Sequence, residues 1–201
     1  MSKEIWLIRH GESTANAGLA TKDASSIALT DKGWHQAREM AAKFTAAPDL
    51  IVVSPYLRAR QTAGPTAERF PDAPIETWPV QEFTYLSPVR CANTTVEQRR
   101  PLVDAYWKAC DPSLVDGPGA ESFTHMLDRV REAARRIEAS PARTIAIFTH
   151  GHIMQAWRLL ANNPAASDKT DMERFLTAFQ ARPIENCEWM SGAAYEKVAR
   201  S

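Results

Sequence analysis

The 201-residue sequence has no excess charge of either sign. Its 24 Lys+Arg meet 24 Asp+Glu, which leaves a formal net charge of zero with histidine neutral. Proteins that grip nucleic acid along its backbone carry a basic excess to neutralise phosphates. Basic membrane-surface proteins need the same excess. Neither a nucleic-acid nor a membrane partner is therefore expected. Cysteine is scarce: Cys91, Cys110 and Cys187 are odd in number and widely spaced, with no C-x-x-C. That argues against a disulfide framework and a structural zinc site. No apolar run approaches the roughly 18 residues of a membrane span. The opening MSKEIWLIRHGES does not read as a secretory leader, because Glu4 and Arg9 interrupt its short apolar stretch. Together these lacks lead to the expectation of a soluble protein in a reducing, cytoplasmic setting.

What is present is ordinary globular material: 44% hydrophobic and 24% charged residues, enough apolar surface to bury a core. The length predicts a single domain over 1–201. Three short apolar runs, Ile5–Ile8, Leu50–Val53 and Thr144–Phe148, read as buried parallel strands. A further strand is expected at Ile75–Trp78. Between them run helical stripes. Trp34, Ala37, Met40, Ala41 and Phe44 follow an N-cap at Thr30. Phe123, Met126, Leu127, Val130, Ala134 and Ile137 lie along Glu121–Ala139. Ile153, Trp157 and Leu160 form a third stripe, and Met172, Phe175, Leu176 and Phe179 a fourth. Strands alternating with helices predict a three-layer α/β/α sandwich with a mostly parallel central sheet. Residues 87–116 are polar with a helical middle and read as a small cap insert. The run Arg129–Arg136 reads as a solvated helix face, and the apolar residues after Pro164 as packing on the sheet or a dimer contact. His35 and His125 read as surface or boundary residues.

The chemistry collects where strands end. Ligands of open α/β sheets bind beyond the carboxyl ends of the strands. There the sequence places Arg9-His10-Gly11-Glu12-Ser13, Ser54-Pro55-Tyr56-Leu57-Arg58 and Thr149-His150-Gly151-His152. Two arginines and two histidines at one rim suit an anion, since the guanidinium fork matches phosphate oxygens. A helix starting near Gly151 adds backbone N–H groups. The chain has neither G-x-x-x-x-G-K-[ST] nor G-x-G-x-x-G, so the anion is not held by a P-loop or a dinucleotide fold. A neutral imidazole is a nucleophile toward phosphorus, and neighbouring guanidinium groups keep it neutral. Glu82, just after the fourth strand, is a candidate proton donor. The pair His150-x-His152 has no evident third ligand, so no metal is expected. No cofactor is expected either, and the cysteines read as inert packing.

These residues also form a recognisable series. Leu7-Ile8-Arg9-His10-Gly11-Glu12-Ser13 resembles the signature of the histidine phosphatase superfamily, in its phosphoglycerate-mutase-like branch. Asn16 follows at the family's spacing. Leu29-Thr30-Asp31-Lys32-Gly33 with Gln36-Ala37 is similar to its L-T-x-x-G-x-x-Q-A helix start. Ser54–Ala63 is similar to its S-P-L-x-R-A-x-Q-T-A segment. Gly119-Ala120-Glu121-Ser122 approximates G-G-E-S, and Phe148-Thr149-His150-Gly151 matches S/T-H-G. The resemblance implies that His10 becomes phosphohistidine, that Arg9, Arg58, His150 and Asn16 bind phosphoryl oxygens, and that Glu82 is the general acid. The tryptophan-rich mutase motif is absent after Glu82, where Phe83-Thr84-Tyr85-Leu86-Ser87-Pro88 stands instead. The expectation is hydrolysis of a small phosphomonoester. A phosphomutase and a phospho-ligand or phosphoprotein module remain the alternatives, and the oligomeric state is unread.

Overall fold

The computed structural model of the chain describes residues 3–200. Strands β1 (Glu4–Arg9), β2 (Leu50–Val53), β3 (Ile75–Thr77), β4 (Thr144–Thr149) and β5 (Trp189–Ser191) form one sheet in the order β3-β2-β4-β1-β5. The first four are parallel, and β5 runs antiparallel to β1. The helices are α1 (Asp31–Lys43), α2 (Leu57–Arg69), α3 (Pro88–Cys91), α4 (Val96–Ala109), α5 (Phe123–Ala139), α6 (Gly151–Asn162), α7 (Lys169–Ala181) and α8 (Tyr195–Ala199).

Strand alternation sorts the core into two layers. Ile8, Ile51, Val53, Ala146 and Phe148 point to one face, where Met40 and Phe44 of the α1 region and Ala63 of α2 meet them. Ile5, Leu7, Leu50, Val52, Ile145 and Ile147 point to the other, against apolar residues of α5 to α8. Period-two side chains on a sheet buried on both faces make this inevitable. The result is a three-layer α/β/α sandwich around a mostly parallel sheet, as the sequence predicts.

Several details differ from the sequence expectations. Strand β3, expected over Ile75–Trp78, stops at Thr77 and is exposed throughout, as befits an edge. Helix α5 starts at Phe123, because Ser122 caps it by accepting from His125 N at 3.1 Å. The Arg129–Arg136 run is not a uniformly solvated face. Arg135 and Arg136 are open and pair with Glu132. Arg129 and Arg131 are turned inward: Arg131 donates to the carbonyls of Pro164 and Ala166, and Arg129 is nearly covered. The segment after Pro164 packs on the sandwich: β5 joins the sheet beside β1, and Phe175, Tyr195 and Val198 enter the core.

Register brings the chemistry to one level. Arg9 pairs with Thr149, and Ile8 and Val53 both pair with Phe148. The ladder continues one step further, with His10 N donating to Thr149 O at 3.0 Å and Ser54 N to Phe148 O at 3.0 Å. His10, Ser54 and His150 therefore emerge side by side.

The loop after β1 is seated on α1 by backbone contact. A Cβ on Gly33 would lie 2.0 Å from Glu12 O, and one on Gly11 would lie 2.6 Å from Gly33 O. Side chains complete the seat: Gln36 accepts from Glu12 N at 2.8 Å, and Thr62 accepts from Gly11 N at 3.0 Å while donating to Arg58 O. Thr30 caps α1 as expected, accepting from Gly33 N at 3.1 Å. Gly33→Ala forces backbone apart at a packed crossing and should cost about 3 kcal/mol. A drop in the urea midpoint at unchanged m-value, with turnover falling in parallel, is the expected result.

Candidate active site

His10 is 3% exposed. Its Nδ1 lies 2.7 Å from Gly11 O, and a carbonyl only accepts, so the ring proton sits on Nδ1. That leaves the Nε2 lone pair free of a proton, and Arg58 Nε donates to it at 3.1 Å. Burial, then Arg58 and Arg9, push the His10 pKa down to about 3. Arg58 is anchored by donating to Ala24 O at 2.7 Å and by lying over the Tyr56 ring at 5.0 Å.

His150 is wholly buried, with its ring centroid 5.1 Å from that of His10. Its Nε2 lies 2.8 Å from Ser54 Oγ. With Tyr56 N donating to that hydroxyl, we assign the hydroxyl proton to His150 Nε2, an assignment that places the imidazole proton on Nδ1. Nδ1 has no hydrogen-bond partner, and neither does the buried Nε of Arg9. Arg9 is held from its far end by the carbonyl of Ile184. Its Nε lies beside Gly151, the first residue of α6, at 3.7 Å from where a Cβ would stand. Burial, followed by Arg58 and His10, also holds the His150 pKa well below the usual histidine range. Two buried donors without partners beside a proton-free imidazole nitrogen mark a place built for an anion.

Asn16 is more peripheral. Its Oδ1 accepts from Ser13 N and Oγ at 3.1 and 3.0 Å and from Asn186 Nδ2 at 3.4 Å. Asn186 also donates to His10 O at 2.9 Å, a link from the carboxyl-terminal segment for which the sequence carries no motif.

Glu82 is positioned by a clamp that sequence reading assigned elsewhere. Arg129 donates to both carboxylate oxygens of Glu121, at 2.8 and 2.6 Å, and to the carbonyls of Pro79 and Gln81. Glu121 accepts from Thr84 N, and Glu121 N donates to Thr84 O. Residues 79–84 are thus fixed on both sides of Glu82. Its Oε1 accepts from His152 N at 3.2 Å and lies 3.3 Å from His152 Nδ1. His152, read in sequence only as half of a metal pair that finds no third ligand, is instead the carboxylate's neighbour. Its ring packs among aromatic side chains, with Phe179 at 4.5 Å and Phe175 stacked at 5.8 Å. Burial raises the Glu82 carboxyl, but His152, His150 and Arg58 outweigh it and hold the group well below the usual carboxylate range.

A cavity of about 520 Å³ opens beside Glu82, Arg58 and Tyr56. Its far wall is made by α3, α4 and the residues that follow Glu82. The expected cap segment, 87–116, therefore supplies two helices to this wall. Cys110 and Cys187 behave as packing, whereas Cys91 is half-buried and borders the cavity. Cys187 is buried, and burial lifts its thiol pKa to about 12. His35 and His125 are exposed, away from the rim.

An NMR titration of the imidazole carbons should find His10 neutral until about pH 3, with Arg58→Gln moving the midpoint upward. An unfolded chain takes up that proton near pH 6.5. Between these values the unfolded state binds more protons, so stability falls as pH drops from about 6.5 toward 3. His10→Asn should flatten this slope in urea unfolding, without abolishing it because His150 shifts in the same direction. His152→Phe, which keeps the aromatic packing, should raise the Glu82 midpoint in carboxyl-carbon NMR.

Comparison with known proteins agrees with this geometry. The family model of the histidine phosphatase superfamily (branch 1) matches residues 5–189. A mycobacterial glucosyl-3-phosphoglycerate phosphatase structure superposes with a TM-score of 0.71 at 21% identity, over 94% of this chain and 92% of that one. An Entamoeba histolytica phosphoserine phosphatase structure gives 0.70 at 20% identity, covering 95% and 90%. A putative alpha-ribazole-5'-P phosphatase from Escherichia coli gives 0.67 at 23%, covering 94% and 90%. At these identities the superpositions speak for the fold. No curated protein matches the sequence. The family match spans nearly the whole chain, and its two strand-end histidines and two arginines converge at one rim. The chain belongs to the histidine phosphatase superfamily, branch 1, and is an enzyme of the phosphoric monoester hydrolase type.

Proposed function

We propose that the chain hydrolyses the phosphomonoester of a small metabolite, without a metal ion, through a phosphohistidine on His10. The observation that carries this reading is the pair of buried donors without partners, Arg9 Nε and His150 Nδ1, set beside the proton-free Nε2 of His10. An incoming phosphoryl dianion satisfies both, and the Arg58 guanidinium turns from Nε2 to an oxygen. Asn16 and the backbone N–H of Gly151 at the start of α6 lie at the margins of the same site and add donors there.

In the first step the Nε2 lone pair attacks phosphorus, and the bond from phosphorus to the ester oxygen breaks in line with it. Glu82 gives its proton to the departing oxygen. Arg9, Arg58 and His150 hold the equatorial oxygens, where charge is spread in the transition state. In the second step the Glu82 carboxylate takes a proton from water, the water oxygen attacks phosphorus, and the bond to nitrogen breaks. His10 regains its lone pair and inorganic phosphate leaves. Glu82 must be protonated to begin the cycle. Bound dianion supplies that bias, because it cancels the positive field that holds the carboxyl down.

The three superposed structures are all described as phosphatases, which supports hydrolysis over mutase chemistry. Glu82→Gln should lower kcat/KM, which reads the first step, roughly 10²- to 10⁴-fold on alkyl phosphates and much less on p-nitrophenyl phosphate, whose phenolate leaves without a proton; with that substrate the phosphoenzyme should accumulate, because the water step has lost its base. His10→Ala should abolish turnover and the acid-labile phosphoenzyme seen by rapid quench. Turnover that EDTA removes, or an isomer formed in place of free phosphate, overturns the reading.

A further inference from the structure

We infer that the leaving group this enzyme is shaped for is the phosphate ester of an apolar alcohol, aromatic or branched in its body, rather than of a sugar or a glycerate. The inference deepens the proposed phosphatase reading and rests on it. In-line attack fixes where the leaving group lies. With His10 Nε2 on one side of phosphorus, the departing oxygen is on the Glu82 side, and its substituent projects into the cavity that Glu82, Arg58 and Tyr56 border.

That cavity holds about 520 Å³, within the range of pockets that enclose a whole small molecule. Its body is built from Phe83, Tyr85, Leu86, Val89, Val96 and Val103. The rings of Phe83 and Tyr85 lie 5.4 Å apart and form a continuous aromatic surface. Burial raises the Tyr85 hydroxyl to about 12, so this wall carries no charge at neutral pH. Three of the polar members are wholly or partly engaged. Thr84 Oγ1 meets Glu82 O and the Tyr56 hydroxyl, each at 3.3 Å. Asp23 accepts from Ser25 N and Oγ, and Arg99 Nε donates to Thr95 O at 3.1 Å. Lys22 and Asp23 are adjacent and opposite in sign, which leaves Arg99 as the one unmatched charge among the wall residues beyond Arg58 and Glu82. Hydroxyls of a sugar would lose water here and gain few partners.

A second observation points the same way. Val89 and Val96 are 75% and 56% exposed, among the most open large apolar side chains of the described residues. Both border this cavity, on the two helices of segment 87–116. An apolar leaving group is the ligand whose binding removes this surface from water.

The test compares esters with equal chemical reactivity. Phenethyl phosphate and cyclohexylmethyl phosphate are set against glycerol 3-phosphate and glucose 6-phosphate; all four release a primary alkoxide, so differences in kcat/KM report binding of the body. The expected ratio in favour of the apolar pair is tenfold or more, about the effect of one or two apolar groups in a fitted pocket. The double variant V89S/V96S should narrow that ratio. Both substitutions are on exposed positions and add no charge. A ratio near one, or in favour of the polar pair, overturns the inference while leaving the phosphatase reading intact. Calorimetric binding of phenethylphosphonate against 2-hydroxyethylphosphonate separates the two readings from the other side. If no ester is hydrolysed yet the phenethyl compound binds at least tenfold tighter, the phosphatase reading fails and the apolar cavity stands. If both phosphonates bind alike, the cavity assignment falls.

Discussion

The site depends on one nitrogen being kept without a proton. A lone pair on His10 Nε2 is useful only if the ring neither protonates nor flips its tautomer. The Gly11 carbonyl fixes the tautomer by taking the Nδ1 proton, and Arg58 with burial makes a second proton costly. The carbonyl can do this only because the loop after β1 cannot shift. Gly11 and Gly33 touch backbone to backbone, and Gln36 and Thr62 hold the neighbouring amides. Motif residues in α1 and α2 thereby act on a lone pair without approaching the phosphoryl position.

Glu82, in the role proposed for it, presents the opposite requirement. A general acid must keep a proton in a field that pulls protons away. The chain does not soften the field; His152 strengthens it from 3.3 Å. On the proposed mechanism the carboxyl is therefore coupled to the ligand: it gains its proton when a dianion arrives and cancels the local positive charge. Such coupling keeps the acid inert until a substrate is in place, and the Arg129–Glu121 clamp holds it at the required point meanwhile.

How much of this was legible in the sequence follows from the range of the forces involved. Strands β1, β2 and β4 are written as apolar runs, and the helices as stripes, because burial on both faces of a sheet leaves a local pattern. His10, Arg9, Arg58 and His150 were legible because strand ends are where ligands bind, and register did the rest. The fate of Arg129 was not legible. In sequence it belongs to a charged run on a helix; in space it meets carbonyls of residues 79 and 81, nearly fifty positions away. The same holds for His152, whose neighbour Glu82 is set by the packing of the loop after β3 on α6, and for Asn186, which reaches His10 O from the far end of the chain. Long-range polar pairing leaves no period to read. Ser122 and Glu121 lie between these cases: the helix cap was local, while the partner of Glu121 was not.

The balanced charge of the chain acquires a sharper meaning in this light. Twenty-four cations against twenty-four anions suggest mutual cancellation, and much of the surface does cancel, as Arg135 and Arg136 do with Glu132. Arg129 and Arg131 are used inside the fold, one on a carboxylate and carbonyls, the other chiefly on carbonyls. Arg9 and Arg58 differ. Among the described residues neither forms a salt bridge; Arg9 leaves a buried Nε without a partner, and Arg58 spends its Nε on His10. A guanidinium desolvated without an anion is unfavourable on its own, and the fold carries that imbalance at this rim. Neutrality elsewhere is what makes the local excess effective. With no net charge to draw polyanions, the chain is suited to the phosphoryl-sized ligand proposed above, and on the inference drawn here the apolar cavity beyond Glu82 chooses what that group arrives on.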